Sequence, residues 1–386
     1  MAVSKKKQKE EPDIIIKPAK ISFKYHLRDT FGCGHYRGII PATMMINIMN
    51  PIARVQATIT DRIFPHPSMY ENVHFAVLQR LDGEHFYNVV RALKKVLTPQ
   101  TKLVYDIDDD LFNIPKWNFA SQYFTKDKVE FVKKIISECD MVVTSTDSLA
   151  KLYGKYNDTV VVAPNRLSRL MWGAPRWKDW GHEKPRIYYA GSDNHFDLDN
   201  KKNHGDFDLK LCKFIESTRN DYQWIFIGGM PGYLRNKNYP EITRIGWHSF
   251  LHYIEFMRSQ QADIVLAPLQ DCVFNRGKSN VKAMESIAIG APLLASDITP
   301  YHGLDRASKT AEEMIAHIQE LAVDPDKRKA TWEQQHAMIR PELFWEENDN
   351  NLKHLNIHMI AGFNTEVKNA QYYKDMNMLQ TATATM

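Results

Sequence analysis

Four aspartates, Asp106, Asp108, Asp109 and Asp110, stand directly behind a run of strand-forming residues in KLVYDIDDDLF (102–112). Carboxylates at this spacing suit three kinds of chemistry. Asp106 and Asp108, two residues apart, have the separation at which a pair holds a divalent metal against a diphosphate, or serves as a nucleophile and its helper. Crowded carboxylates also raise one another's pKa, which suits one of them to take a proton from a hydroxyl. A plainer role is open to Asp110 and Asp106, that of closing the turn after the strand.

Three other segments carry residues of use. In RDTFGCGHYRG, Gly32 and Gly34 allow close approach of the backbone to a ligand, while His35 and Arg37 add a polar ring and a cation. In YYAGSDNHFDLD, Gly191 and Ser192 have the character of a phosphate-facing turn, and His195 with Asp197 is placed to orient a donor or a sugar hydroxyl; the plainer alternative is a loop in which Asp193 or Asp197 starts a helix. The most informative segment spans 267–296. There a strand ends, a polar loop brings Asn275, Arg276, Gly277, Lys278 and Ser279, and an amphipathic helix beginning near Ser279 runs through Lys282 and Glu285. A helix start aims free N–H groups and the positive end of its dipole at an anion, as a diphosphate requires. Lys278 or Arg276 adds charge, and Glu285, further along the helix, is placed to accept the two hydroxyls of a ribose.

Such residues act together only on a scaffold that gathers them. Short β-rich runs alternate with segments of helical period, the pattern of α/β units on parallel sheets. Candidate strands lie at 21–27, 54–60, 74–80, 102–108, 141–146 and 159–164, with helices at 84–97 and 127–139 among them. A Pro-, Gly- and Trp-rich stretch after Asn165 lacks a period and reads as a linker. The alternation then restarts, with strands at 187–192, 222–229, 242–247, 263–269 and 292–296 and helices near 207–218, 250–260, 279–290, 311–323 and from 326 onward. The expected division is a disordered tail (1–18), a Rossmann-like domain (19–168), a linker (169–185), a second Rossmann-like domain (186–335), and C-terminal helices and tail packing back across both (336–386). Ligands of open parallel sheets lie at the carboxyl ends of the strands, so the segments above converge on the cleft between the domains.

Composition agrees with two cores: 386 residues, 44% of them hydrophobic, exceed what one core usually holds. Lys and Arg number 50 against 46 Asp and Glu, a formal net charge of +4, which permits a polyanionic partner without resembling a nucleic-acid coat. Cys33, Cys139, Cys212 and Cys272 show no paired spacing, so neither a zinc site nor a disulfide framework is expected, and a reducing, cytoplasmic setting fits. No apolar run approaches the roughly 18 to 20 residues of a membrane span. The opening MAVSKKKQKEEPD reads as a solvated tail or, more sharply, a phosphate-binding arm.

MESIAIGAPLLAS resembles the EAxAxGxPVxxS helix and strand of GT-B-fold glycosyltransferases, in the group that includes glycogen-synthase-like and sucrose-synthase-like enzymes. ADIVLAPL, WIFIGG, VVVAPNRL and GCGHYRGIIP agree with it, and the joint pattern over 21–301 is similar to phage-encoded and related bacterial members, with their GxxYYRxxxP-like start, YDIDDDL-like loop and FNxxKSxxKxxE-like donor loop. The resemblance implies two Rossmann-like domains facing a central cleft. It implies a nucleotide-sugar donor, a UDP-sugar first among them, on the second domain, with Glu285 on the ribose and no obligatory metal. Donor contacts are then expected from Gly32, Gly34, Gly191, Ser192, His195, Asn275, Arg276, Lys278, Ser279, Lys282 and Glu285. The acidic loop would project from the first domain towards the donor, assigning Asp108 or Asp109 to the acceptor hydroxyl, with His35, Arg37 and Asp106 beside it. A metal-holding Asp-x-Asp of the GT-A kind belongs to enzymes with a single nucleotide domain. The similar motif of haloacid-dehalogenase-like phosphotransferases sits on a first strand, whereas this one is on the fourth.

One departure stands out. The family commonly has a second Glu, separated from the ribose-binding one by seven intervening residues, and that position is Gly277. Neither donor sugar nor stereochemistry carries over, and the gap motivates a reading from another class, a catalytically silent protein that binds a nucleotide or sugar on the same scaffold. For an enzyme, the phage-like pattern, the basic tail and the cations near Lys201 and Lys202 point to a hydroxymethylated base in double-stranded DNA as acceptor, in the host cytoplasm; a glycan, lipid or protein is the alternative.

Overall fold

The computed structural model describes residues 20–49, 54–197 and 205–347. The expected N-terminal tail, the cations Lys201 and Lys202, and the helix and tail expected beyond residue 347 lie outside the described residues. Eleven strands form two sheets. The first holds β1 (Lys20–His26), β2 (Arg54–Thr60), β3 (Phe75–Gln79), β4 (Lys102–Ile107), β5 (Met141–Thr144) and β6 (Val160–Val162) in the order β2-β1-β3-β4-β5-β6, and every neighbouring pair is parallel. The second holds β7 (Arg186–Gly191), β8 (Gln223–Gly228), β9 (Thr243–Ile245), β10 (Ile264–Ala267) and β11 (Leu293–Ala295) in the order β11-β10-β7-β8-β9, again all parallel. Each strand falls where the apolar runs place it.

Parallel sheets are covered on both faces, so their central strands are buried throughout, as β3 and β10 are. Alternate residues serve alternate cores. In the first domain, Ala76, Leu78, Leu103 and Tyr105 pack beneath α2 (Gly83–Val96) and α3 (Lys126–Glu138), while Phe23, Phe75, Val77, Val104 and Val143 face the other way. A short helix α4 (Asp147–Tyr153), capped by Thr146, follows β5. The second sheet is flanked by α5 (Leu209–Ser217), α6 (Phe250–Ser259), α7 (Val281–Ala288), α8 (Ala311–Val323) and α9 (Pro325–Ile339).

The stretch read from sequence as a glycine loop is instead a helix. Helix α1 runs continuously through Gly32–Gly34, a wider π turn at His35–Ile39, and Ile40–Met49. Its central stretch is largely apolar because most of it is buried between the two domains. Ala42 and Met45 enter the core of the first domain, whereas Tyr36, Ile40 and Met44 share a core with Tyr188, Ile225, Val265, Met284 and Ile287 of the second. The domains therefore meet through a hydrophobic seam, which a second crossing reinforces. The chain returns after α9 so that Leu167 donates to Leu343 O (2.9 Å), Trp345 donates to Leu167 O (3.0 Å), and Glu346 accepts the N–H of Arg169 (2.8 Å).

Within α1, Arg37 is 3% exposed. Its guanidinium forks onto Asp106 of β4 (Nε–Oδ1 2.7 Å, Nη2–Oδ2 2.9 Å) and donates through Nη1 to Ala163 O (2.6 Å) and Asn165 Oδ1 (3.0 Å). The first-domain expectation that Arg37 and Asp106 face an acceptor is thereby corrected: each satisfies the other inside the protein. Breaking a buried pair from one side strands the remaining charge. Arg37→Met is expected to destabilise the protein by about 3–5 kcal/mol, measured by urea unfolding; a shift below about 1 kcal/mol would show that the pair does not hold the junction.

Candidate functional site

The carboxyl ends of both sheets open on one cleft of about 850 Å³ between the domains. On its first wall, the four aspartates separate by role. Asp106 is spent on Arg37, and Asp110, also buried, accepts the N–H groups of Phe112 and Asn113 (3.0 Å each) and closes the turn. Asp108 and Asp109 line the cleft. The Asp108 Oδ1 atom is buried and has no hydrogen-bond partner among the described residues. Burial first, and the neighbouring Asp109 second, push the Asp108 carboxyl up to about 6.

Arg80, at the end of β3, was not singled out by residue pattern and holds this wall together. Its backbone takes a left-handed conformation (φ 49°) that side chains other than glycine seldom adopt, and its N–H donates to Asp106 O (2.9 Å). From there the guanidinium meets Asp29 (2.8 Å), Asp109 (3.4 Å) and Cys33 Sγ (3.6 Å). Asp29 in turn accepts the N–H groups of Phe31 (3.0 Å) and Gly34 (3.1 Å) at the start of α1. A Cβ on Gly34 would lie 1.9 Å from Asp29 O, so that glycine serves this contact and not a ligand. Cys33, Asp108 and Asp109 bring ligand atoms within 4.8 Å of one another. The set suits a divalent metal poorly: Arg80 already supplies the cation, and burial with the adjacent Asp108 keeps the Cys33 thiol protonated by raising its pKa.

On the second wall, the turn after β7 carries Gly191, Ser192 and His195 into the cleft. It rests against Gly228 and Gly229. Gly228 has φ 86°, and a Cβ there would meet Gly191 O at 2.5 Å, so two backbones touch where side chains would hold them apart. The Nδ1 of His195 lies 2.6 Å from Oδ2 of Asp206, a buried carboxylate whose Oδ1 accepts from Gln270 N (2.9 Å) and Asn275 Nδ2 (2.6 Å). Asp206 thus ties the β7 turn to the donor loop.

In that loop Lys278 and Ser279 line the cleft, and α7 starts at Val281 with no side-chain cap, leaving its first N–H groups for a ligand. Asn275 is fully buried against Asp206 and Gln270, and Arg276 forks onto Asp271 (2.6 and 2.8 Å) at the surface; neither lines the cleft. His35 stacks on Phe250 (ring centroids 4.1 Å apart) at the seam, outside the lining. Gly32 does line it, at the start of α1. Glu285 is 1% exposed, and its carboxylate already accepts the phenols of Tyr36 and Tyr253 (2.7 Å each) and the ammonium of Lys282 (3.0 Å). Tyr36 comes from the first domain. Three further bonds cross the cleft: Thr146 Oγ1 to Gly277 O (3.0 Å), Asn165 Nδ2 to Ser279 Oγ (3.0 Å) and Lys278 Nζ to Asp109 Oδ1 (3.8 Å).

No family model and no curated protein sequence matches the chain. Solved structures do. Sucrose-phosphate synthase from Thermosynechococcus elongatus superposes with a TM-score of 0.55 at 11% identity, covering 89% of this chain and all of that one. An alpha-glucosyltransferase in complex with UDP and a 13-mer DNA gives the same TM-score, identity and coverage. A TarM mutant of S. aureus, in complex with Fondaparinux, alpha-GlcNAc-glycerol and UDP, gives 0.50 at 11% identity over 75% of this chain, which spans 56% of that protein's length. At such identity the likeness is one of fold, and it agrees with the two parallel sheets and their shared cleft: the chain has the GT-B fold.

Proposed function

We propose that this protein is a glycosyltransferase that moves a sugar from a nucleoside diphosphate, a UDP-sugar first among donors, to an acceptor hydroxyl. One observation carries the reading. Across a single cleft, Asp108, whose buried Oδ1 has no hydrogen-bond partner among the described residues, opposes a wall made of the Gly191–Ser192 turn, Lys278, Ser279 and the open start of α7. A proton acceptor on one side and an anion cradle on the other are what such a transfer needs. UDP in two similarly folded structures supports the donor class.

In the reaction the acceptor oxygen bonds to the anomeric carbon, the bond from that carbon to the diphosphate breaks, and the diphosphate leaves with the bonding pair. The hydroxyl proton passes to Asp108, which is ionised above about pH 6 and so is ready to receive it. Lys278, Lys282 and the α7 start meet the leaving charge. Tyr36 and Tyr253 hold the Glu285 carboxylate in place for the ribose, each leaving it further lone pairs.

The acceptor half has its own character. Its charged lining consists of Arg28 and Arg80 against Asp29, Asp82, Asp108 and Asp109, with the exposed rings of Phe31 and Tyr123 among them and Phe119 at the rim. Carboxylates and aromatic faces suit a hydroxylated ring that bears no charge of its own. A saccharide presents one directly. A hydroxymethylated base turned out of DNA presents one too, with its phosphates kept outside the cleft, and the neighbour that holds DNA supports including it. Turnover is to be assayed with a panel of nucleotide sugars and two acceptors, hydroxymethylated duplex DNA at two salt concentrations and a glycan mixture, reading nucleotide release and acceptor mass. A DNA acceptor requires a steep loss with salt. Nucleotide binding with no release in any arm would leave the silent-scaffold reading instead.

Asp108→Asn is expected to lower turnover by about 10²–10⁴-fold while leaving UDP affinity within a few-fold, and to abolish an acid limb near pH 6 in kcat/KM. The same change should stabilise the fold. Because the folded pKa, about 6, exceeds the ordinary 3.8, wild-type stability declines as pH rises through that window and stays lower above it. At pH 7.5 urea unfolding should find the variant more stable by about 2–3 kcal/mol. Full activity in excess chelator is expected; strict metal dependence would return the acidic loop to a metal-holding role.

A further inference from the structure

Each cation lining the donor half of the cleft already faces a carboxylate. Lys278 Nζ lies 3.8 Å from Asp109, Lys282 Nζ 3.0 Å from Glu285, and Arg244 Nη2 3.9 Å from Asp193. Arg235, behind the lining, is also bound to Asp193, and Arg276 is turned away onto Asp271. A nucleoside diphosphate brings about two or more negative charges at neutral pH, and these paired cations leave little surplus to meet them. One lining side chain can change its charge to do so.

His195 ends the short turn Asp193–His195 after β7, and its side chain is 20% exposed. Its Nδ1 is 2.6 Å from Asp206, whose side chain is 1% exposed and is held by Gln270 N and Asn275 Nδ2. A carboxylate only accepts, so Nδ1 carries the hydrogen and Nε2, on the opposite edge of the ring, is the atom that gains or loses a proton. The groups around the ring are Tyr189 of β7, edge-on at 6.2 Å; Asp193 of its own turn, engaged by Arg235 and Arg244; Lys278 of the donor loop; Lys282 of α7; and Asp206 behind. Burial, with Lys278 and Lys282, holds the imidazole below its ordinary pKa against the pull of Asp206, so it is neutral at pH 7 in the empty cleft.

We propose, resting on the donor reading above, that His195 is the charge-compensating group of the diphosphate site: a nucleoside diphosphate bound at the β7 turn draws one proton from solvent onto Nε2, and the resulting imidazolium, clamped by Asp206, holds the diphosphate. The bond formed is N–H, the proton comes from water or buffer, and nothing is oxidised or reduced. An anion beside the ring raises its pKa. Between the free and the bound pKa, each bound nucleotide therefore carries a proton with it, and affinity falls roughly tenfold per pH unit. Asp206 acts as a positioning residue, through the ring.

The test is calorimetric titration of the full-length protein with UDP at pH 7.5 in two buffers of different ionisation heat. The nucleotide's own terminal phosphate titrates near pH 6, so uptake at pH 7.5 reports the protein. The expected result is uptake approaching ~1 proton per UDP in the wild type and none in His195→Gln, whose UDP affinity is about tenfold or more weaker at pH 6.5 and converges on the wild type as pH rises. Asp206→Asn, which keeps the ring, should give intermediate uptake. Tight UDP binding by the wild type without proton uptake overturns this inference and leaves the donor reading standing; no UDP binding by the wild type overturns the donor reading and this inference with it. Should His195→Gln fail to fold, His195→Asn takes its place, and tight UDP binding by the wild type without uptake overturns the inference in either case.

Discussion

One guanidinium sets the geometry of the cleft. Arg37 forks onto Asp106 and reaches Ala163 O and Asn165, so a single buried cation joins the helix after the first strand, the strand that carries the acidic loop, and the exit from the first domain. Each partner leads to a functional element. Asp108 follows Asp106 by two residues; Asn165, oriented by Arg37, donates to Ser279 of the donor loop; and Tyr36, the preceding residue of the helix, turns the other way to Glu285. Strong, doubly bonded ion pairs fix direction as well as distance, and here the direction turns Asp106 inward and leaves Asp108 and Asp109 to line the cleft.

That division follows from charge balance more than from position in the loop. Four carboxylates so close cannot all remain ionised without partners, and the protein partners three of them: Asp106 with Arg37, Asp109 with Arg80 and Lys278, Asp110 with backbone and side-chain N–H groups. Asp108 alone has a buried oxygen with no partner among the described residues, and burial with the neighbouring Asp109 raises its pKa. The strained backbone of Arg80 belongs to the same economy of charge, since its position beneath the loop lets one side chain reach Asp29 and Asp109 together.

Much of the scaffold was legible in the residue pattern because its signals are local. Central strands buried on both faces read as unbroken apolar runs, and the edge strands β2 and β9 as shorter or alternating ones; α3 and α8 show the three- and four-residue recurrence of a half-buried helix. Helix α1 escaped because its start is glycine-rich and its body is largely apolar, so neither a start signal nor a polar face marks it. Residue type and motif spacing pointed to Asp108, Lys278 and Glu285, which the fold brings to the cleft, but not to their partners. Tyr36 and Glu285 are 249 residues apart in the chain, and no local pattern marks Asp206 as the partner of His195, 11 residues before it. Arg276 and Asn275 show the converse. Their types suited a ligand, but Asp271 and Asp206 lay nearer.

Gly277 gains a physical account from this geometry. A Cβ there would lie 3.2 Å from Leu149 Cδ2 and 3.6 Å from Asp110 Cβ, both of the first domain, while the Gly277 carbonyl accepts from Thr146, the residue that caps α4. A larger residue at this position would require the Leu149 side chain to give by a few tenths of an ångström and would stand directly against Asp110. With glycine the two loops close, and closure delivers a carboxylate to the same neighbourhood from the opposite domain, because Asp109 comes to 3.8 Å from Lys278, the next residue along.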